Sequence, residues 1–292
     1  MSFSVERVSR FTPYALVMPA IALLIAVNIF PLLYTIWLSF HEINLLAGTS
    51  RFNAGANFGR VFSDPAYASA IRTTALFVVL AVSIELVLGY VLALAIHRKF
   101  PGKTVVLTIL LIPMMLSPAV MGLFWGHLLS EQSGMLNQLL GAFGIAGPRW
   151  QDSPGARFAA VVLIDVWMWT PFMMLISLAA LGSIPHYIYE AAEIDRAGRW
   201  LVFRRLTLPM CAPLLGLAVL LRVTDALKQF DVVMAVVGPN DATTRTLSVL
   251  LYQRTIQDFN IGVSAAYALV VLVIVIALAS LCVRYLDRLA RR

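Results

Sequence analysis

Four charged residues follow one another at intervals of three within an otherwise apolar segment in the second half of the chain. They alternate in sign, as Arg222, Asp225, Lys228 and Asp231, and Gln229 lies one helical turn beyond Asp225. Charges inside a bilayer are costly, so such residues usually face the interior of a helix bundle or a water-filled path. On a helix, neighbours three residues apart can also neutralise each other. The pattern predicts an ion-pair ladder that holds the helix in place, a polar lining for a solute path, or both.

Other residues extend this candidate solute path. Phe230 stands beside Gln229 and supplies an apolar surface, and solute sites typically combine apolar walls with a few placed polar groups. Glu85 and Asp165 lie in two other apolar segments, and Glu85 is equally able to pair with Arg222 across a bundle. Because the charges of the ladder balance, the pattern favours a neutral polyhydroxy solute over a phosphorylated one.

The composition places these residues in a membrane protein. Of the 292 residues, 60% are hydrophobic and 13% are charged, and the mean hydropathy is +0.85, which excludes a soluble domain. Several apolar runs exceed the ~20 helical residues that cross a bilayer. We therefore predict an all-α polytopic membrane protein with six transmembrane helices, in a single domain over residues 1–292 with its core at 70–288. The predicted spans are an N-terminal anchor at 13–40 and helices at 70–97, 104–129, 157–182, 207–236 and 261–285.

The distribution of positive charge predicts the orientation of these helices. Lys and Arg number 22, and 13 of them lie in the N-terminal segment, the 98–103 turn, the loop between helices 4 and 5 and the C-terminal tail. The opposite loops carry seven. Because cytoplasmic loops are enriched in Lys and Arg, we expect both termini and the loop at 184–206 to lie in the cytoplasm. The net charge of +7 follows from this topology and gives no reason to expect a nucleic-acid partner.

The loop at 184–206 is polar and favours helix, although long apolar segments lie on both sides of it. It contains seven charged side chains and is too short to fold as a domain of its own. Ser183 is placed to cap a helix entered through Pro185, and Gly198 offers a break into a second short helix. The loop therefore predicts two short helices that form a docking surface for a soluble partner. The alternative is a solvated loop with chance helicity.

The residues of this loop resemble the EAA loop in the membrane subunits of bacterial ABC importers. The sequence Glu190-Ala191-Ala192 is followed, after a gap, by Leu206-Thr207-Leu208-Pro209. The resemblance implies that the loop forms coupling helices, which insert into a cleft on the ATP-hydrolysing subunit. The residues to which the resemblance assigns this docking are Glu190, Ala191, Ala192, Asp195, Arg196, Ala197, Gly198, Leu206, Leu208 and Pro209.

One position of the loop departs from the family's pattern. Arg196 stands where the family usually has a Gly after the Asp. Arg does not adopt a positive φ angle as readily as Gly does. Gly198 is therefore an alternative place for the turn after the first short helix.

Other motifs resemble the carbohydrate branch of these importers. They comprise Gly122-x-x-Trp125, Pro171-Phe172, Gln229-Phe230-Asp231, Gly238-Pro239-Asn240 and Phe259-Asn260-Ile261-Gly262. The resemblance implies a permease subunit in the bacterial cytoplasmic membrane that imports a sugar, polyol or related solute. It also implies a second homologous permease, two ATP-binding subunits, membrane lipid around the helices and an extracytoplasmic solute-binding protein.

Sequence motifs for catalysis and cofactor binding are missing. Gly102-Lys103-Thr104 resembles the end of a phosphate-binding loop, but His97 stands where that motif needs an earlier Gly. The four His residues lack the spacing of metal ligands, and the two Cys lie in apolar segments. We therefore expect no enzyme activity, no metal and no cofactor in this chain, with ATP and Mg²⁺ bound by the partner subunits.

Three alternative functions remain open at the level of sequence. An ion-coupled secondary transporter would use the charges of helix 5 as its relay and would work without ATP or partner subunits. A membrane-bound scaffold would only assemble other proteins. An ABC importer for a phosphorylated polyol such as glycerol 3-phosphate would share the whole architecture and differ only in its solute.

Overall fold

The computed structural model describes residues 12–44, 48–98, 100–130, 134–145, 147, 149–150 and 153–290. These residues form two compact units. One holds the described residues as far as Ser63 together with Arg254–Val270, and the other holds those of Asp64–Gln253 and those from Val271 onward. Nearly every element in the described ranges is an α-helix, as the composition predicts. A single domain over the whole chain stays a prediction.

The first unit contains a long apolar helix and a β-hairpin. Its elements are α1 (Thr12–Ser39), β1 (His41–Asn44), β2 (Thr49–Phe52), α2 (Ala56–Ser63) and the first part of α13 (Ile261–Ala290). The strands are antiparallel, with His41 opposite Phe52. Asn57 ties α2 to the hairpin, because its side-chain amide donates to the carbonyl oxygens of Ser39 at 2.9 Å and His41 at 3.0 Å. Gly262 lies so close to the His41 carbonyl that a Cβ there would clash with it.

The second unit is a helical bundle organised around α3 and α7. Its helices are α3 (Pro65–His97), α4 (Lys103–Leu111), α5 (Pro118–Leu128), α6 (Met135–Ala142), α7 (Pro154–Gly182), α8 (His186–Ile194), α9 (Arg199–Val202), α10 (Leu208–Ala226), α11 (Asp231–Val236), α12 (Leu247–Tyr252) and the rest of α13. α3 and α7 approach closely at Gly89, where a Cβ would lie 2.6 Å from the Cβ of Met173. α10 packs against both helices. The core is mainly apolar, with buried side chains such as Phe77 and Ile164, so its few polar residues stand out.

The two long helices of this bundle begin at capping residues. Asp64 accepts a hydrogen bond from the Ala66 backbone at 2.8 Å, and a Pro follows it in the first turn of α3. Ser153 accepts from the Ala156 backbone at 3.2 Å, and a Pro again follows in the first turn of α7. A polar cap satisfies a free backbone donor, and the Pro pre-sets the φ angle. These caps define where α3 and α7 start.

Among the described residues, five helices are long and apolar enough to cross a membrane. These segments are Leu16–Ser39, Pro65–His97, Pro154–Gly182, Arg199–Ala226 and Ile261–Arg284. They coincide with predicted helices 1, 2, 4, 5 and 6, apart from their boundaries. The predicted third span at 104–129 is not one helix, because a 3₁₀ turn at Pro113–Met115 and the extended Ser117 separate α4 from α5. Pro113 and Pro118 have no backbone N–H with which to continue the helix.

The predicted fifth helix at 207–236 differs from the structure at both ends. α10 ends at Ala226 and α11 starts only at Asp231, so the prediction of one continuous helix is wrong. At the other end, a π-helical turn at Phe203–Thr207 joins α9 to α10 and gives one helix over Arg199–Ala226. The predicted second short helix is therefore the beginning of a long helix rather than a separate element.

Candidate functional site

Three helices place charged side chains at one point in the core of the second unit. Arg222 from α10, Glu85 from α3 and Asp165 from α7 are each at most 2% exposed. The guanidinium donates to Glu85 through Nε at 2.8 Å and through Nη2 at 3.1 Å, and Nη2 also donates to the Asp165 carboxylate. These contacts confirm the predicted pairing of Glu85 with Arg222 across the bundle. The three residues are called the buried cluster below.

The predicted ladder of alternating charges forms only at its first step. Nη1 of Arg222 donates to Asp225 at 3.1 Å, and the Asp225 side chain is 52% exposed. Lys228 and Asp231 are exposed, and neither forms an ion pair with another described residue. The prediction is wrong beyond Asp225 because α10 ends at Ala226, so the residues that follow no longer keep the helical spacing that would bring them together.

One member of this site is not predicted from the sequence. The ring of Trp169 lies against Arg222, with Cζ 4.8 Å from the ring centroid, which is within the range of a cation–π contact. Trp169 lies four residues beyond Asp165 on α7 and therefore on the same face of the helix. That spacing is the signal by which the sequence could have identified it. The ring covers one face of a guanidinium whose edges are held by carboxylates.

Gln229 connects the buried cluster with the interruption after α10. Its Nε2 donates to Oδ1 of Asp165 at 2.7 Å, and its Oε1 accepts from the backbone N–H of Phe230 at 3.0 Å. Its backbone carbonyl accepts from the Thr246 hydroxyl at 2.8 Å. Gln229 and Phe230 are both half-buried. Gln229 is thus a partner of the cluster, and a change at this position affects the cluster as well as any solute contact.

The buried cluster contains more acid than base. Glu85 and Asp165 share the single guanidinium of Arg222. Unbalanced charge is costly in a low-dielectric interior, and hydrogen bonds offset only part of that cost. Removing the cation would leave buried carboxylates without compensation, at about 3–5 kcal/mol. The arrangement holds α3, α7 and α10 together, whereas a solute path lined by the same residues stays a prediction.

The second candidate site is the loop around α8. Its exposed side chains, called the α8–α9 surface below, are Tyr187, Glu190, Ala191, Glu193, Ile194, Asp195, Arg196, Arg199 and Trp200. Ile194 is 83% exposed and Trp200 is 70% exposed. Large apolar side chains grouped on a polar loop are typical of an interaction surface. A cleft of about 360 Å³ runs between α8 and α9, lined by side chains that include Ile188, Ala192 and Leu201.

The predicted docking residues do not all lie on the outside of this loop. The exposed members are Glu190, Ala191, Asp195, Arg196, Gly198, Leu208 and Pro209, and the half-buried members are Ala197 and Leu206. Ala192 is only 7% exposed, so it packs within the loop itself. Ser183 does not cap α8 as predicted, because its hydroxyl donates to the Ala180 carbonyl at the end of α7. Pro185 directly precedes α8, without a side-chain cap.

α8 ends in a left-handed turn at Arg196. The φ angle is +50° at Arg196 and −65° at Gly198, so Arg196 takes the conformation that suits a Gly, and the alternative turn at Gly198 is wrong. The Ala197 N–H donates to the Ala192 carbonyl at 2.9 Å, and the Arg196 N–H donates to the Glu193 carbonyl at 3.0 Å. These are the two hydrogen bonds of a Schellman motif. The left-handed conformation costs a residue with a Cβ roughly 1–2 kcal/mol.

A further polar group lies at the opposite end of α7 from α8. Nε of Arg157, near the start of α7, lies 2.8 Å from Oδ2 of Asp241. The carboxylate also accepts hydrogen bonds from the Thr243 backbone at 3.0 Å and from the Thr244 hydroxyl at 3.0 Å. Burial raises the pKa of Asp241, but these hydrogen bonds and the charge of Arg157 outweigh it, so the pKa lies below its usual value of 3.8. The group fixes the segment after α11 to the start of α7.

The fold is similar to that of a solved transporter chain. That chain belongs to a bacterial ABC transporter involved in the import of the acidic polysaccharide alginate. It superposes with a TM-score of 0.83, at 20% sequence identity, and the match covers 95% of this chain and 96% of that chain. The likeness therefore extends over nearly all of both folds.

Two curated relatives match most of the chain in sequence. The trehalose/maltose transport system permease protein MalF of Thermococcus litoralis is 32% identical, over 89% of this chain and 89% of its own length. The sn-glycerol-3-phosphate transport system permease protein UgpA of Pectobacterium atrosepticum is 29% identical, over 96% of this chain and 95% of its own length. The likeness is thus to permeases along their length rather than to a single motif.

A family match covers both candidate sites. Residues 85–292 match the family described as "Binding-protein-dependent transport system inner membrane component", a range that begins at Glu85 and includes the whole α8–α9 surface. The match confirms the predicted permease role and disfavours an ion-coupled secondary transporter, and it leaves ATP hydrolysis to separate subunits. The chain therefore belongs to the family of binding-protein-dependent transport system inner membrane components, as a permease subunit of an ABC importer.

Proposed function

We propose that this chain forms, together with a second homologous permease, the solute pathway of an ATP-driven importer for a sugar or polyol. One of two ATP-binding subunits docks on the α8–α9 surface, and an extracytoplasmic binding protein delivers the solute. ATP and Mg²⁺ bind to the ATP-binding subunits, and this chain holds no cofactor. The observation that carries the proposal is an exposed apolar surface, with Ile194 and Trp200, joined to a helix that runs into the buried core.

The proposed topology has six spans in the bacterial cytoplasmic membrane. α4 and α5 together form the third span, since interrupted helices are tolerated at membrane depth where other protein covers them. α11 supplies such cover, because a Cβ at Gly122 of α5 would lie 2.6 Å from the Cβ of Ala235. The distribution of Lys and Arg supports a cytoplasmic position for both termini and for the α8–α9 surface.

A continuous helix supports a mechanical link between ATP hydrolysis and the bundle. Trp200 and Arg222 lie on the same helix, Arg199–Ala226, about 33 Å apart along its axis at a rise of about 1.5 Å per residue. When the ATP-binding subunits close, the docked surface moves with them, and this helix carries the movement to the buried cluster. Because Arg222 is tied to Glu85 and Asp165, α3 and α7 move with α10. The bundle then alternates between two global states, one open to each side of the membrane. ATP biases this equilibrium at the α8–α9 surface, and the solute biases it at the other end.

A neutral solute suits the charge of the buried core better than a phosphorylated one. The guanidinium of Arg222 is already shared by Glu85 and Asp165 in the buried cluster, so this buried cation is not free to pair with a phosphate. Gln229 and Phe230 supply a polar and an apolar side chain beside the cluster. The relative MalF belongs to a trehalose/maltose system, which supports a sugar. The relative UgpA belongs to a glycerol-3-phosphate system, which supports a phosphorylated polyol as the second candidate.

Solute-stimulated ATP hydrolysis by the complete complex in lipid tests these candidates. The complex and its binding protein are given trehalose, maltose or glycerol 3-phosphate in turn. Stimulation by a neutral saccharide alone supports the first candidate, and stimulation by glycerol 3-phosphate alone supports the second. Stimulation by no member of a wide panel of sugars and polyols would contradict the solute class. Failure of ATP-binding subunits to co-purify with the chain would contradict the importer itself.

A further inference from the structure

Arg196 occupies a backbone conformation that suits Gly, yet it carries a long charged side chain. Its φ angle is +50°, and its side chain is exposed. Within the described part of the chain, its guanidinium forms neither a hydrogen bond nor an ion pair. Among the described residues, no polar contact of this side chain therefore offsets the strain of the turn. The Schellman motif nevertheless holds the residue at a defined point of the α8–α9 surface.

The charges around Arg196 divide this loop into an acidic half and a basic half. The acidic residues, on α8 and at its end, are Glu190, Glu193 and Asp195, and the basic residues that follow are Arg196, Arg199, Arg204 and Arg205. All seven side chains are exposed. Arg196 falls between the exposed apolar residues Ile194 and Trp200 in the sequence. A protein that covers this surface removes water from the two apolar side chains and also from the guanidinium of Arg196 on the same surface.

We infer that Arg196 forms an ion pair with a carboxylate at the rim of the docking cleft on the ATP-binding subunit, and that this pair fixes the direction in which α8 lies in the cleft. The inference rests on the proposed docking of the α8–α9 surface. Exclusion of water by Ile194 and Trp200 strengthens the pair, because screening falls where solvent is removed. A planar guanidinium also matches a carboxylate with two parallel hydrogen bonds.

This ion pair gives the chain a means of selecting its ATP-binding subunit. A subunit with a basic or an apolar residue opposite Arg196 repels the guanidinium or buries it without a partner, and either outcome disfavours the wrong complex. The acidic residues of the loop likewise disfavour a subunit that places acidic or apolar residues opposite them. Reversing α8 in the cleft would bring like charges together on both halves.

The test measures how fast the ATP-binding subunit dissociates from the complete complex in lipid nanodiscs as the salt concentration is raised. Arg196→Gly removes the charge and relieves the backbone, and Arg196→Asn removes the charge with a side chain that tolerates the left-handed region. Both variants are expected to release the subunit about tenfold faster than the wild type, with a weaker dependence on salt. Arg196→Lys keeps the charge but lacks the planar guanidinium. It should release the subunit at a rate between that of the wild type and that of the other two variants. Arg98→Asn is the matched control, because Arg98 is exposed and lies outside the α8–α9 surface.

The outcomes distinguish a failure of the Arg196 ion pair from a failure of the proposed docking. Equal or slower release from Arg196→Gly overturns the inference and leaves docking in place. Equally fast release from Arg98→Asn also overturns it, since a general loss of positive charge then explains the result. A charge swap supports it directly, if Arg196→Glu regains the wild-type rate with an acidic-to-Arg substitution on the ATP-binding subunit. If Trp200→Ala leaves the dissociation rate of the ATP-binding subunit unchanged as well as Arg196→Gly, the proposed docking is wrong, and the inference that rests on it is wrong too.

Discussion

Arg222 on α10 donates two hydrogen bonds to Glu85 on α3, from Nε at 2.8 Å and from Nη2 at 3.1 Å, where both side chains are at most 2% exposed. The two residues are distant in sequence and meet because α3 and α10 pack against each other and against α7. α7 adds Asp165 to the same guanidinium. The centre of the bundle is therefore a charged joint that ties α3, α7 and α10 to one another.

Replacing Arg222 with Met should destabilise the bundle strongly. Met retains much of the apolar volume but leaves Glu85 and Asp165 without a cation, which costs about 3–5 kcal/mol. The thermal unfolding temperature of the complex in detergent measures the loss, and the amount of protein in the membrane fraction shows whether insertion also suffers.

Glu85→Gln is the matched control for this change. The amide is nearly isosteric, keeps an acceptor for the guanidinium and leaves Asp165 as its counter-charge, so the cost should be only about 1 kcal/mol. The double variant Glu85→Gln/Arg222→Met should recover part of the loss, because one fewer buried carboxylate is then uncompensated. An Arg222→Met protein as stable as the wild type would contradict the charged joint.

Gln229→Ala should loosen the segment between α10 and α11. The change removes the donor to Asp165 and the acceptor for the Phe230 N–H, and a buried acceptor left without its partner costs about 1–3 kcal/mol. We expect a lower unfolding temperature together with reduced uptake at every solute concentration. Uptake that falls while the unfolding temperature stays at its wild-type value would show direct solute contact instead of positioning.

Trp200→Ala should weaken the binding of the ATP-binding subunit to this chain without disturbing the fold. Central aromatic side chains often carry about 2 kcal/mol of an interface, or roughly 30-fold in affinity. Trp200 is 70% exposed, so membrane insertion and unfolding temperature should change little. Tyr14→Ala removes an aromatic side chain that is 74% exposed on α1 and is the control. Full transport and undiminished retention of the subunit in Trp200→Ala would remove the α8–α9 surface from the mechanism.

The stabilisation from the Arg157–Asp241 pair should depend on pH. The pKa of Asp241 is lowered by folding, so its contribution is complete above the unfolded pKa, near 3.8, and disappears as the pH falls through the folded pKa below that value. Asp241→Asn should therefore lower stability at neutral pH by about 1 kcal/mol. The difference from the wild type should shrink in acid. A difference that is constant with pH would show that the charge is not the stabilising feature.

Most of the long helices follow from hydropathy, whereas their interruptions do not. Length and apolarity suffice to predict the helices at 13–40, 70–97, 157–182 and 261–285. Pro113 and Pro118 interrupt the third span, but α1 keeps Pro19 and Pro31 within one helix. A proline alone therefore does not decide between a kink and a break, since neighbouring helices determine whether the freed backbone groups find partners.

The candidate site is predictable where charge must be compensated and unpredictable where the chain leaves the helix. Glu85 and Arg222 follow from the rule that charges in a bundle find partners. The positions of Lys228 and Asp231 depend on the end of α10, and the segment just beyond that end is held by Gln229 through a contact with Asp165 on another helix. No local pattern encodes that contact. The turn at Arg196 is likewise set by the hydrogen bonds of α8 and not by the residue type.

The decisive measurement is solute uptake into sealed proteoliposomes that contain the complete complex and its binding protein, with no ion gradient imposed. ATP and Mg²⁺ are supplied on the side of the α8–α9 surface, and the solute and binding protein on the other. An ATP-driven importer should accumulate the solute only when ATP is present, and the Trp200→Ala variant should accumulate less. Uptake that continues without ATP, when a proton or sodium gradient is imposed in a parallel experiment, would contradict an ATP-driven permease.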